Sequence, residues 1–313
     1  MNEPVSVPCF PDFAPLSLEM KDILHPRLSL SADGVSEFAF SGLYLFRNRY
    51  NYRISRDGPN GGFIISGVQR EKNDEAQNNE QKFFMTPCET PKHDVLESLF
   101  ATHDYWKNIS ETILVSSRPL LNELGVSVDE DRDNFDYLYF RDDMSQLSGK
   151  KFHKKRNLVS QFLHTYTYEQ RPLTRGTVPH ALEVLERWRH DKFALQAGEE
   201  GDYSAAREAL ELFDSLTLRG YVYFADGKPA GYCLGESIAK GKMFAVHFEK
   251  AIDEYKGIYQ FMNQAFATTL PRFFIFINRE QDLGNTGLRQ AKMTYRPSGF
   301  VKKYTGRRNY AVK

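Results

Sequence analysis

The sequence has 313 residues, 41% of them hydrophobic and 14% aromatic, with 41 basic against 41 acidic side chains and a formal net charge of zero. That length accommodates one large or two medium domains with a sizeable core, and the charge balance excludes a globally basic, nucleic-acid-coating protein, so no DNA partner is expected. The three widely spaced cysteines, Cys9, Cys88 and Cys233, form neither a disulfide framework nor a metal site, no run reaches membrane-span length, and the N-terminus lacks a signal pattern; a soluble, cytoplasmic protein without metal is expected.

Pro4, Pro8, Pro11 and Pro15 keep the start irregular ahead of a short first helix. Ser36 then reads as the cap of an aromatic-rich helix, SEFAFSGLYLFRNRYNY. Tyr50–Ser55 and Phe63–Val68 alternate as strands around RDGPNGG, whose Asp-Gly and Gly-Gly pairs signal a hairpin turn. Residues 71–81, EKNDEAQNNEQ, are polar and read as a loop. A strand (FFMTP), a helix from Lys92 to about Lys107, a strand (ETILVSS), a short helix (RPLLNELG) and a strand (FDYLYF) follow.

At the centre an acidic run, residues 129–143, gives way to the basic KKFHKKR at 150–156. Phe152, Val159, Phe162, Leu163 and Tyr166 recur at helical spacing, which puts Lys151, Lys154 and Lys155 largely on the opposite side, with Arg156 beside them. Such a face is either a solvated helix surface or a contact for the phosphates of a nucleotide, a tRNA end or an anionic lipid head group. Beyond it lie a strand (YTYEQRPL), a helix capped by Thr177 with Pro179 in its first turn, and a second helix ending before Gly220. A meander of Tyr221–Ala225, Pro229–Ile238 and Met243–Lys250 comes next, then a helix from about Ile258, the strand RFFIFINRE, the loop QDLGNTG, the helix LRQAKM and a last strand, FVKKYT.

This order, β-α-α-β-β-β-α-β-α-β, resembles the layout of the Gcn5-related N-acetyltransferase (GNAT) fold, in which an acyl donor docks beside the fourth strand and the helix after it. The expected fold is α/β (α+β), two tandem GNAT-like domains over residues 1–145 and 146–313, each a mixed, mostly antiparallel sheet flanked by helices. The second carries the expected active site.

Ionisable residues gather where the last elements meet. Alternation along Met243–Glu249 puts His247 and Glu249 on one face, about 7 Å apart, where they can orient an amine or take its proton, or pair to satisfy loop amides. On the next strand Asn278 and Glu280 share one face and Arg279 lies on the other; with Asp282 they make a polar run at the strand's C-terminal end, where open α/β sheets place ligands. Asn285 reads as a helix cap. Arg289 and Lys292 either face the same crevice, holding an anion or stabilising an acyl oxygen, or are ordinary helix cations. Lys256 and Gly257 precede a helix N-terminus suited to an anion, but Glu254-Tyr255-Lys256-Gly257-Ile258-Tyr259 has one glycine where acetyl-CoA-binding GNATs show Arg/Gln-x-x-Gly-x-Gly/Ala. Cys233, with no base beside it, reads as a packed thiol.

The blocks DRDNFDYLY, LSGKKFHKKRN, HFEKA, YQFMNQAF, INREQDLG and LRQAKMTYRP resemble a bacterial family of largely uncharacterised proteins similar to the C-terminal domain of phosphatidylglycerol lysyltransferases. The resemblance runs from about Ser36 to Tyr304. It implies two GNAT-like halves and transfer of an aminoacyl group from tRNA to a lipid. It likens Lys151–Arg156 to the basic helix opening the second half, Asn278–Leu283 to a substrate-tunnel segment, and Lys292 with Pro297 to a Lys-Phe-x-Pro segment whose lysine lies near the aminoacyl substrate. The charges of Arg279, Glu280 and Asp282 depart from the family's more apolar run and point to a more polar acceptor.

The expected function is acyl or aminoacyl transfer to a polar amine or hydroxyl acceptor, a small molecule or lipid head group, with aminoacyl-tRNA ahead of acyl-CoA as donor and no fixed cofactor. His247, Glu249 and Lys292 are the expected catalytic residues. Asn278, Arg279, Glu280, Asp282 and Arg289 would bind substrate, and Lys151, Lys154, Lys155, Arg156, Lys256 and Gly257 would hold donor phosphates. The alternative is a non-catalytic GNAT scaffold that binds a charged metabolite or partner.

Overall fold

A computed structural model describes residues 6–70, 80–193 and 202–309. Strands are numbered in chain order: β1 (Ala14–Pro15), β2 (Arg53–Arg56), β3 (Phe63–Arg70), β4 (Glu80–Met85), β5 (Tyr105–Ser110), β6 (Val126–Glu130) and β7 (Asp136–Phe140). They continue as β8 (Tyr168–Pro172), β9 (Arg219–Ala225), β10 (Lys228–Ile238), β11 (Met243–Ala251), β12 (Phe276–Asn278), β13 (Gly299–Val301) and β14 (Lys303–Arg308). The longer helices named here are α1 (His93–Thr102), α2 (Glu111–Glu123), α3 (His153–Thr165), α4 (Val178–Phe193), α5 (Ile258–Thr269) and α6 (Thr286–Met293).

Among the described residues two seven-stranded sheets form, ordered β1-β2-β3-β4-β5-β14-β6 and β8-β9-β10-β11-β12-β7-β13. Position by position the orders correspond. Each sheet has an antiparallel meander, then one parallel pair, β4–β5 or β11–β12, with a helix (α1 or α5) between its strands. Each next receives an antiparallel strand from elsewhere in the chain, β14 beside β5 and β7 beside β12. The chain is thus two tandem GNAT-like halves that exchange one strand, a feature element order alone did not show.

Residues 1–136, 281–284 and 301–313 make one compact unit, and residues 137–280 and 285–300 the other. A single cut after residue 145 does not reproduce this division, because the expected last strand breaks at Lys302 into β13 and β14, which belong to different sheets.

Several local expectations are corrected. The helix begun near Lys92 ends at Thr102, and Tyr105–Ser110 is a strand buried at every position, so it carries no alternation to read. ETILVSS is helical rather than extended. Ser110 caps it, its Oγ accepting from the Ile113 amide at 3.3 Å, and Ile113, Ser117 and Leu121 recur every four residues on the buried side. Ser36 is no helix cap: its amide and hydroxyl donate to the Asp136 carboxylate at 2.9 and 3.0 Å. Of the loop expected at 71–81, residues 71–79 lie outside the described residues, and Glu80 and Gln81 open β4.

The first unit's core gathers Phe84, Leu96, Leu99, Phe100, Trp106 and Ile113 against its sheet. In the second, α3 and α5 meet through stacked Phe162 and Phe261 rings, 4.7 Å between centroids, and Phe244 packs on Phe266 at 5.3 Å. Aromatic side chains pack alongside buried Leu, Ile and Val in both units.

Candidate active site

The site grows from an irregularity in β11. Pairing with β10 slips between Leu234 and Gly235, so Leu234 faces Phe248 while Gly235 faces Val246 and His247 is the extra residue. A bulge of this kind reverses the alternation beyond it. Glu249, opposite Cys233, therefore looks towards α5, where Asn263 Nδ2 donates to its Oε1 at 3.0 Å. His247 lies on the other face and binds Glu236 instead. The expectation that His247 and Glu249 share a face fails for this reason.

On His247's face the imidazole is held between two carboxylates, Nδ1 to Glu280 Oε1 at 2.7 Å and Nε2 to Glu236 Oε1 at 3.1 Å. Burial works against the cation, but both hydrogen bonds and the two negative charges more than offset it and lift the pKa to about 10. His247 is therefore an imidazolium at neutral pH, with both nitrogens engaged, and cannot serve there as a general base. Glu280 reaches it from the end of β12 in a left-handed conformation (φ 56°), in a turn closed by its amide donating to Asn278 Oδ1 at 2.8 Å. Asn278 itself is fully buried.

The α5 face holds a different group. Arg279 alternates away from Glu280, and its Nη2 donates to both Glu249 oxygens at 3.1 and 3.2 Å. Its guanidinium lies over the Tyr295 ring at 5.3 Å from the centroid. Lys155, arriving from α3, places Nζ over the same ring at 4.0 Å. Burial, then the nearby Arg279 charge, lowers the Lys155 pKa to about 8. For Arg279, burial opposes the charge, but Glu249 and the surrounding tyrosines raise its pKa further, so it remains a cation. Burial pushes the pKa of the Tyr295 hydroxyl up. Two cations and one carboxylate thus meet in a partly buried place, leaving an excess of positive charge.

The remaining expected site residues divide. Lys292 is buried on α6 and donates to the carbonyl oxygens of Arg279 and Glu280 at 2.7 and 3.1 Å, so it holds the backbone that presents both side chains. Asn285 caps α6, its Oδ1 accepting from the Leu288 amide at 2.9 Å. Arg289 is half-buried on the same helix. Asp282 belongs to the first unit; it is fully buried there, 3.5 Å from Arg132, and accepts from the Gly284 amide at 2.9 Å.

The basic helix does not act as one surface. Lys151 pairs with Asp143 at 2.6 Å, Arg156 donates to the carbonyls of Leu147 and Gly149, and Lys154 is exposed. Only Lys155 turns towards Arg279. Lys256 is exposed, and Gly257 (φ 89°) is needed because a Cβ there would stand 2.3 Å from the Leu158 carbonyl oxygen of α3. Gly257 thus serves helix packing. The Tyr259 hydroxyl accepts from the Ala251 amide at 3.2 Å and donates to the Ala251 carbonyl at 3.3 Å.

Cys233 is buried, 3.6 Å from the Tyr223 hydroxyl, and burial pushes its thiol pKa well up, consistent with a packed thiol. Among the described residues no group of three or more His, Cys, Asp or Glu side chains is placed to hold a metal ion, and no helix is long and apolar enough to cross a membrane.

Sequence reasoning missed Glu236, Asn263 and Tyr295. Glu236 carried a signal, a lone carboxylate within the otherwise apolar strand GYCLGESI. Asn263, an amide inside the apolar helix Ile258–Thr269, carried a similar one. Tyr295, just beyond α6, carried none.

Two tandem GNAT-like halves with ionisable residues on the fourth and fifth strands of the second define the class of protein. The chain belongs to the phosphatidylglycerol lysyltransferase C-terminal family, whose model matches residues 28–306. A conserved protein of unknown function from Bacteroides thetaiotaomicron is similar over 95% of this chain and 99% of its own, at 28% identity and a TM-score of 0.83. The C-terminal domain of a putative lysylphosphatidylglycerol synthetase from Agrobacterium fabrum, 14% identical, shares the fold with a TM-score of 0.60 over 94% of this chain and 93% of its own. The uncharacterised protein MYCGA3080 of Mycoplasmoides gallisepticum is 25% identical over 177 residues, 54% of each protein, so the chain spans about half the length of the curated relative it matches.

Proposed function

We propose that this protein transfers an aminoacyl group from an aminoacyl-tRNA to a polar amine or hydroxyl acceptor, using the α5 face of the second unit. The observation that carries this reading is the meeting of Arg279, Glu249 and Lys155 around Tyr295. The acceptor N–H or O–H attacks the ester carbonyl carbon and passes its proton to Lys155, which is unprotonated in a useful fraction of molecules near pH 8. Negative charge growing on the carbonyl oxygen is met by Arg279, which Glu249 and Asn263 hold in place. The ester C–O bond then breaks, and the terminal ribose oxygen takes that proton from Lys155 and leaves as a hydroxyl. His247 and Lys292 act as positioning residues, the first through Glu280 and the second through the β12 backbone. Aminoacyl-tRNA is favoured over acyl-CoA because the space beside Gly257 is filled by the Leu158 carbonyl and the Phe162 side chain.

The test supplies tRNA charged with labelled amino acids and follows label into candidate acceptors. Transfer is expected to rise with pH and level off above about 8. Lys155→Met should lower it about a hundredfold and remove that pH dependence. If charged tRNA is bound but its label is never released, the non-catalytic reading stands instead, which the occupied space at Gly257 also favours. Transfer from acyl-CoA but not from tRNA would overturn the choice of donor.

A further inference from the structure

The strand that joins the first sheet late leaves an irregularity in β5. Tyr304 of β14 faces Ile109 and Gly306 faces Trp106, so two residues of β5, Lys107 and Asn108, lie against one of β14, Thr305. Asn108 takes a left-handed conformation (φ 55°) in this bulge. Trp106 and Ile109 both enter the core beside α1 and α2, while Lys107 and Asn108 turn to the Phe83 and Met85 side of the sheet. There the buried Lys107 ammonium lies over the rings of Phe83 and Tyr50, 4.9 and 5.4 Å from their centroids, and donates to Gln69 Oε1 at 2.6 Å. Asn108 is 1% exposed. Its Nδ2 donates to Met85 Sδ at 3.5 Å, and its Oδ1 meets no hydrogen-bond donor among the described residues. Turning the amide over would set that oxygen against a thioether, which has no proton to give.

Buried polar groups ordinarily find complementary partners, and a departure asks what completes the set. Lys250 and Lys303, also buried, contact carboxylates, whereas Lys107 contacts a neutral amide oxygen and two rings. Burial lowers its pKa, and the charges of Glu37 and Asp131 restore it only in part; those acids bind Lys303 and Asn134 instead. Among the described residues, Lys107 thus wants a negative charge and Asn108 Oδ1 a hydrogen-bond donor. A dianion such as phosphate would meet repulsion from Glu37 and Asp131, while a carboxylate brings the single charge that one cation can match. A bare carboxylate has no proton for Asn108, so an O–H or N–H must sit beside it. Tyr50 and Gln69, both half-buried, form the rim of this place. We propose that this face of the first sheet binds a small carboxylate with a hydroxyl or amine on the adjacent carbon. Its carboxylate meets Lys107 Nζ, its O–H or N–H meets Asn108 Oδ1, and its carbon skeleton lies against Tyr50 and Met85. The site lies within the first unit and does not rest on the proposed transfer chemistry.

The test is calorimetric titration of the whole chain with lactate, alanine and propionate, which share one carbon skeleton. Lactate or alanine should bind, and whichever binds more tightly identifies the substituent as hydroxyl or amine. Propionate, which leaves Asn108 Oδ1 without a donor, should bind about tenfold more weakly. Lys107→Met should weaken all three by at least about tenfold. Because it removes a buried charge that no carboxylate contacts, it should keep or raise the melting temperature, so lost binding is not lost folding. Asn108→Gly keeps the left-handed backbone and should bring propionate level with the better ligand. Absence of binding by all three at about 10 mM overturns the proposal. So does propionate binding as well as the others to the unaltered chain, or binding that Lys107→Met leaves unchanged.

Discussion

Each half of this protein buries a cation between two carboxylates, yet the two arrangements behave differently. In the first unit Lys303 of β14 reaches Asp136 at 2.6 Å and also Glu37, and neither Lys303 nor Asp136 is exposed at all. Burial opposes the Lys303 charge, but the two acids raise its pKa above the ordinary value, so the cation persists across the whole working range of pH. In the second unit His247 sits between Glu236 and Glu280. An imidazolium can be discharged where an ammonium of raised pKa cannot. The first arrangement fastens β14 to Glu37 and Asp136 across that range; the second carries a charge that alkali removes.

The helices that follow the fourth strands make a second contrast. At α1 the Lys92 amide donates to the Asp57 carboxylate at 2.8 Å, so the chain's own anion occupies that helix start. At α5 the backbone of α3 packs against Gly257. Neither start is arranged as the phosphate site that a GNAT layout leads one to expect, and the surplus positive charge lies further along the sheet, at Arg279 and Lys155.

The largest effect expected from breaking this comparison is in the first unit. Lys303→Met leaves two acids buried without their cation and should cost about 3–5 kcal/mol, read as a shift of the denaturant midpoint. In the second unit the effect is set by pH. The folded pKa of His247, about 10, lies above its ordinary value of 6.5, so its contribution is fully present below pH 6.5 and is lost as pH rises towards 10. Unfolding measured across that window should show a decline in stability that His247→Gln flattens, whereas Lys303 should contribute no slope there. Smallest is Gly257→Ala, expected to cost about 1–3 kcal/mol because the added methyl overlaps the Leu158 carbonyl. Donor affinity should change little; a large loss of donor binding at unchanged stability would restore this glycine as a phosphate contact.

Local pattern made much of the site legible. Alternation put Arg279 and Glu280 on opposite faces, and they bind different partners. Asn285 was readable as a cap because its partner amide is three residues away. His247 and Glu249 misled for a physical reason: the bulge depends on how β11 pairs with β10, and a one-residue slip reverses every side chain beyond it. Lys155 was legible as a cation but not as a neighbour of Arg279, which is 124 residues away in sequence.

The sequence by itself determined the element order from β8 to α6, the polar end of β12 and the aromatic content of both cores, all properties of short-range pattern. Only the tertiary structure decided which strands are exchanged, which face each ionisable group takes and which carboxylates surround which cation. Those depend on pairing between distant segments, where one residue of register or one close backbone approach, as at Gly257, outweighs local preference.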